Sequence, residues 1–135
     1  NPGSIVAFED HLSYAHRSAA FQTGILGDFG GLSRAHREFV AEHGIRNHGF
    51  LEDGEGSQGI CHPMVTERYA LPGQLIAATD SHTPHSGSVG SLAFGVGTTD
   101  MANAFVAGVV RMTMPKSLLF RPCAGSPYEQ ADTVA

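Results

Sequence analysis

The run Asp80-Ser81-His82-Thr83 follows the apolar stretch Leu75-Ile76-Ala77-Ala78, read as a buried strand, and precedes an expected helix. In open α/β sheets, ligands bind beyond the carboxyl ends of strands, so these residues stand where chemistry is often done. An Asp beside a His holds one imidazole tautomer and raises its basicity. Ser81 offers a hydroxyl to a substrate oxygen. The other reading is a turn in which Asp80 and Ser81 only satisfy backbone amides. Asp10-His11 ends the apolar run Ile5 to Phe8 in the same way. Neighbours on an extended chain point to opposite faces, so a direct Asp10–His11 bond requires an irregular backbone. An exposed polar turn is the alternative there. His62 follows Gly59-Ile60-Cys61 and precedes Pro63, which biases it toward an extended conformation.

The chain has eight histidines and no tryptophan. His85 shares the loop of His82 and can reach the same pocket. His36 and His43 fall on a predicted amphipathic helix, near its solvent face. His16 and His48 have no partner nearby in sequence. Arg111 reads as a surface residue, with a carboxylate clamp as the alternative. Three His/Asp clusters suggest acid–base chemistry, and they also suit a mononuclear metal site and hence a metal-dependent hydrolase. Spacing does not decide between these. The two cysteines, Cys61 and Cys123, are too far apart in sequence for a paired ligand motif. They read as reduced thiols of a cytoplasmic protein.

These residues must be positioned by a chain of 135 residues with 16% charged residues, 17 glycines and net charge −5. That composition suits one folded domain or part of one, and it argues against disorder. The negative charge gives no basis for nucleic-acid binding. No apolar stretch reaches bilayer-spanning length. Asn1 stands in place of an initiator Met, so the sequence is expected to be part of something longer.

Ile5–Phe8, Ile45–Leu51 and Leu75–Ala78 read as strands, the last covered on both faces. A helix is expected from an N-cap at Ser33 to Gly44, with Leu32, Ala35, Phe39 and Val40 on one face. Residues 12–31, with four glycines, read as irregular around Asp28. Val65–Ala70 suggests a short helix. Val89, Leu92, Ala93 and Val96 recur at helical spacing, broken at Gly95 and Gly97. Thr98 or Thr99 would cap a further helix with Asp100 in its first turn and Met101, Ala104 and Phe105 buried. The alternation predicts an α/β fold with a mostly parallel sheet.

In order, Gly59-Ile60-Cys61-His62, Glu67, Pro72-Gly73, Thr79-Asp80-Ser81-His82-Thr83-Pro84 and Gly95-Val96-Gly97-Thr98-Thr99-Asp100 resemble one block of the aconitase superfamily. That superfamily includes aconitase, homoaconitase and the large subunit of 3-isopropylmalate dehydratase. Val6 to Leu12 resembles its earlier Asp-His motif. The match runs from Ile5 to Pro115. The resemblance implies a three-layer α/β/α domain, here partial over residues 1–116, with residues 117–135 as a divergent or disordered tail. It implies a hydro-lyase that dehydrates and rehydrates a hydroxy di- or tricarboxylate with a [4Fe-4S] cluster.

By matching position, His11 with Asp10 would assist departure of hydroxide as water. His62, Asp80 and His82 would surround the reacting hydroxyl. Ser81 would bind a substrate carboxylate, with His85 beside it. The family's cluster cysteines lie downstream in motifs absent here, so no residue of this chain is assigned as a metal ligand. Its general base comes from a swivelling domain or small subunit, also absent, and the chain alone should be inactive. Pro63 stands where many members have Gln, and His85 where tricarboxylate-specific aconitases have Asn. Both departures point away from citrate. A non-catalytic remnant or binding module of the same fold is the alternative.

Overall fold

The computed structural model describes residues 1–12, 19–25, 29–49 and 56–119. The expectation of an irregular segment around Asp28 falls partly outside them, as do His16, Cys123 and residues 120–135. Ser117 to Leu119 are exposed and in no regular element. Among the described residues, no helix is long and apolar enough to cross a membrane.

Two parallel strand pairs carry the architecture. Strand β1 (Val6–Phe8) leads through α1 (Ala19–Gln22) and α2 (Phe29–Glu42) to β2 (Arg46–His48). It pairs with β2 in the register Val6↔Arg46 to Phe8↔His48. Helix α3 (Cys61–Arg68) then leads to β3 (Leu75–Ala78), a 3₁₀ helix (Thr83–Val89), β4 (Leu92–Gly95) and α4 (Thr98–Ala107). Strands β3 and β4 pair in the register Leu75↔Leu92 to Ala78↔Gly95. Parallel pairs require crossovers, and here α2 and the 3₁₀ helix lie within them. The expected α/β class and parallel pairing therefore hold. The strands are divided between two two-stranded sheets.

Several local expectations are corrected. Helix α2 starts at Phe29, so Ser33 is interior and does not cap it. Its hydroxyl instead donates to Glu9 at 3.0 Å. Gly44 does end the helix region, in the left-handed conformation with φ of 62°, where glycine has no Cβ penalty. Leu92 to Gly95 forms a strand and not a helix, because backbone pairing with β3 outweighs a short helical spacing. Strand β3 is only partly covered, and Leu75 is exposed. Helix α4 is preceded by Gly97, and neither Thr98 nor Thr99 caps it by side chain. Asp100 does lie in its first turn. Phe105 is half-exposed and stacks on Phe39 of α2 with centroids 5.9 Å apart.

The buried hydrophobic residues among those described are few: Val40, Ile45, Cys61 and Met64. Polar contacts accordingly do much of the joining. Glu9, just after β1, accepts from Ser33 and from Arg37, whose Nη2 lies 3.1 Å away. His36 also faces this carboxylate at 3.7 Å and meets Asn47 at 3.3 Å. It thus packs toward β2 and not toward solvent. Burial raises the Glu9 pKa, but Arg37 and Ser33 hold it below the ordinary value of 4.5. His48 is buried between the Gln58 side chain, at 2.9 Å, and the Tyr69 hydroxyl, and it stacks on Phe8.

Gly95 ends β4 against the loop after β3. A Cβ there would sit 2.7 Å from the Asp80 carbonyl oxygen. Backbone cannot swing aside as a flexible side chain can. Gly95→Ala should therefore destabilise the fold by about 1–3 kcal/mol, the usual cost of overpacking. Gly87→Ala, where a Cβ meets nothing within 4 Å, should stay within about 0.5 kcal/mol. Urea unfolding followed by circular dichroism checks both, and equal effects would refute the steric account.

Candidate functional site

Three chain segments converge on one carboxylate. The first is the turn Asp10–Leu12 at the carboxyl end of β1. The second is the first turn of α3. The third is the loop after β3. Asp80 lies in that loop, and its Oδ1 accepts the backbone N–H of His82 at 2.7 Å. This is a turn bond of the kind Asp makes readily two residues on. The same carboxylate also gathers imidazoles. His62 Nε2 lies 2.9 Å from Oδ1, His11 Nε2 lies 3.0 Å from Oδ2, and His82 Nδ1 lies 3.4 Å from Oδ1. Asp80 thus makes the turn bond and lies against three imidazoles at once.

The His62 ring centroid lies 5.7 Å from that of His82, 6.5 Å from that of His11 and 6.4 Å from that of His85. The His82 amide holds Asp80 below the ordinary carboxylate range, and the nearby His62, His11 and His82 rings favour its charged form as well. Ser81 is exposed beside His82, with its Oγ 3.4 Å from Nδ1. His85, in the 3₁₀ helix, pairs with the Thr66 hydroxyl of α3 at 3.1 Å. His62, Pro63, Ser81, His82, Pro84 and His85 line one open depression. Arg111 is exposed.

Helix α3 begins at Cys61, earlier than its sequence suggests, and so His62 is helical and not extended. Pro63 is tolerated because the first turn of a helix has N–H groups without intrahelical partners. Ile60 supplies no side-chain cap. Asp10 supplies one from across the fold, its Oδ2 accepting the Cys61 N–H at 2.9 Å. A carboxylate at a helix N-terminus also meets the positive end of the helix dipole. Asp10 reaches His11 less closely, at 3.4 Å, within an irregular turn as the sequence requires. Burial works to raise the Asp10 pKa. The Cys61 amide, the His11 ring and the Cys61 thiol together hold it below its ordinary value of 3.8.

The donor set answers which groups could hold metal. His62, Asp80 and His82 place ligand atoms within 4.8 Å of one another, as do Asp10, His11 and Cys61. A [4Fe-4S] cluster is held by Cys thiolates. Cys61 is buried, and burial together with the charges of Asp10 and Asp80 pushes its thiol up to about 12. One buried thiol here could supply at most one of the several thiolates that such a cluster needs. With two cysteines in all, this chain does not fit the cluster as its holder.

Sequence comparison places these residues in a family. The family model described as "Aconitase family (aconitate hydratase)" matches residues 28–129. The chain belongs to the aconitase family. It is 44% identical over 85 residues to a 3-isopropylmalate dehydratase large subunit from Aquifex aeolicus, covering 62% of this chain and 18% of that one. It is 39% identical over 114 residues to the 3-isopropylmalate dehydratase large subunit of Metallosphaera sedula, covering 83% and 23%. It is 40% identical over 81 residues to the methanogen homoaconitase large subunit of Methanocaldococcus jannaschii, covering 60% and 18%. The chain spans about a quarter of the length of the first such relatives. No solved structure matches it significantly.

Sequence reasoning on this aconitase-family chain missed three parts of the site: the Cys61 amide, the Thr66 hydroxyl and Gly95. Only Gly95 carried a sequence signal, a small residue ending a strand, and that signal read as a helix break. The Asp10 cap yields a prediction with a definite pH sign. An Asp whose folded pKa is lowered stabilises above its unfolded pKa and loses that contribution as pH falls through the folded value. Asp10→Ala should cost about 0.5–2 kcal/mol at pH 7, the usual loss of an N-cap. The difference from wild type should shrink below about pH 4, where carboxylates protonate. Urea unfolding at both pH values checks this, and an unchanged difference would show that the charge is irrelevant.

Proposed function

We propose that this chain is part of a hydro-lyase of the aconitase and 3-isopropylmalate dehydratase large-subunit type. Its reaction is the dehydration and rehydration of a hydroxy di- or tricarboxylate, a step of amino-acid biosynthesis in the cytoplasm. The observation that carries this is the convergence of His11, His62 and His82 on Asp80 in a chain of this family. The names of the relatives, dehydratase and homoaconitase large subunits, support it.

Loss of hydroxide at neutral pH is slow without a proton donor. An imidazole hydrogen-bonded to a carboxylate is held in position to give one. His11 Nε2, against Asp80 Oδ2, is the group assigned to protonate the departing hydroxyl, with Asp10 at its other nitrogen. His62 and His82 hold the opposite edge of Asp80 and orient the hydroxyl or water. Ser81, exposed in the depression, donates to a substrate carboxylate oxygen, with His85 beside it. A [4Fe-4S] cluster, bound by residues beyond this chain, supplies Lewis-acid polarisation when present. The general base comes from a swivelling domain or small subunit. Residues 1–116 form the partial catalytic domain in this reading, and residues 117–135 are a divergent or disordered tail.

This reading requires a parent reading frame with three further cysteines, two of them as Cys-x-x-Cys. A parent without them is a non-catalytic remnant of the fold. In the cluster-loaded parent enzyme, His11→Ala should lower kcat by about 10²–10⁴-fold, the range for loss of a general acid, with a smaller change in KM. Steady-state assay of the unsaturated product by absorbance measures both. Equal losses in kcat and in binding would remove His11 from the acid role.

A further inference from the structure

The three imidazoles around Asp80 have a second capability that proton transfer does not use. We infer that His62, Asp80 and His82 form a binding site for one divalent transition-metal ion, with Zn²⁺ the best match. The inference does not rest on the hydro-lyase reading.

The geometry is that of a ligand triad before the ion arrives. His62, Asp80 and His82 each offer one ligand atom, and these atoms all lie within 4.8 Å of one another; His62 Nε2 and His82 Nδ1 both approach Asp80 Oδ1. Two edges of this triangle measure 2.9 and 3.4 Å. Zn²⁺ binds His nitrogen and carboxylate oxygen at about 2.0–2.2 Å, so the edges of its tetrahedron are roughly 3.4 Å. The His82–Asp80 edge matches that figure, and the His62–Asp80 edge is shorter than it. The His82 ring is 78% exposed and can rotate at little cost, whereas His62 and Asp80 are 17% and 25% exposed and better fixed.

The surroundings also suit an ion. Two of the three ligands, His62 and His82, line the open depression, which gives an entry path and leaves a fourth position for water. Among the described residues, no Lys or Arg lines it to compete for the carboxylate. The far oxygen of Asp80 is held by His11, at 3.0 Å. Outer partners of this kind orient a ligand and tune its basicity. Imidazole and carboxylate donors select Zn²⁺, Ni²⁺ or Co²⁺ over Mg²⁺, which prefers all-oxygen octahedral sites. A bound ion ties the first turn of α3 to the loop after β3. The other donor group, Asp10 with His11 and Cys61, is the weaker candidate, because Asp10 is already engaged in capping α3 through the Cys61 amide.

Isothermal titration of the full chain with Zn²⁺, and in parallel with Mg²⁺, tests this in a buffer free of chelating anions. The expected result is one Zn²⁺ per chain and no saturable Mg²⁺ binding. Zn²⁺ affinity should fall as pH drops, since protons compete for the imidazoles. His62→Ala and His82→Ala should each weaken it by about 100-fold or more, given that loss of an outer partner alone costs about 10–100-fold. His82 is exposed, so its variant keeps the fold. Cys61→Ser and His43→Ala should leave Zn²⁺ affinity unchanged. Absence of saturable Zn²⁺ binding, binding that survives both His variants, or binding lost with Cys61 would each overturn the assignment. The readout needs neither substrate nor cluster, so its failure leaves the hydro-lyase reading untouched. An inactive parent would in turn leave the metal site standing.

Discussion

The Asp80 carboxylate is the constraint on which the rest of the site depends. Its Oδ1 closes the turn that aims His82, and it faces His62 on α3. Its Oδ2 faces His11 from the end of β1. One anionic group therefore joins parts of the chain that are distant in sequence and belong to different sheets. Charge explains why the arrangement is stable without a large core. Three imidazoles lie within 3.4 Å of the same carboxylate, and the His82 backbone amide donates to it at 2.7 Å; a hydrogen bond to an ionised carboxylate is about twice as strong as a neutral one.

That carboxylate is held in place by two contacts from outside the cluster. Gly95 allows β4 to run against the Asp80 carbonyl, where any side chain would collide. Asp10 caps α3 through the Cys61 amide and so fixes the turn that carries His62. In the first case a missing side chain positions the loop, and in the second a carboxylate positions a helix. Asp10 thus serves two neighbours, the helix more closely than His11. The clustered imidazoles then have two uses, proton delivery and metal ligation, and both follow from the same short distances.

The sequence showed most where local chemistry decides structure. Apolar runs that stop abruptly at Asp10 and at Asp80 marked the ends of β1 and β3, and the ends of parallel strands are where sites form. It showed least where partners are far apart along the chain. The start of α3 was hidden because its cap lies 51 residues away. The start of α2 was misplaced because Ser33 looks like a cap, yet it donates to Glu9, which is 24 residues distant. Strand β4 has helical spacing on paper, and only its register with β3 makes it a strand. His48 had no partner in sequence and finds Gln58 and Tyr69 in space. The buried stripe expected on α4 failed at Phe105, which is half-exposed and stacks on another half-exposed ring, Phe39.

Ring nitrogens report directly on what they face, so a long-range ¹H–¹⁵N spectrum of the histidine side chains tests the central arrangement. If one carboxylate gathers the imidazoles, Asp80→Asn should move the ring signals of His11, His62 and His82 together and leave His43, in the turn after α2, where it was. Movement of His82 alone, the neighbour in sequence, would mean that the other two rings do not meet Asp80, and the account of the site would fail.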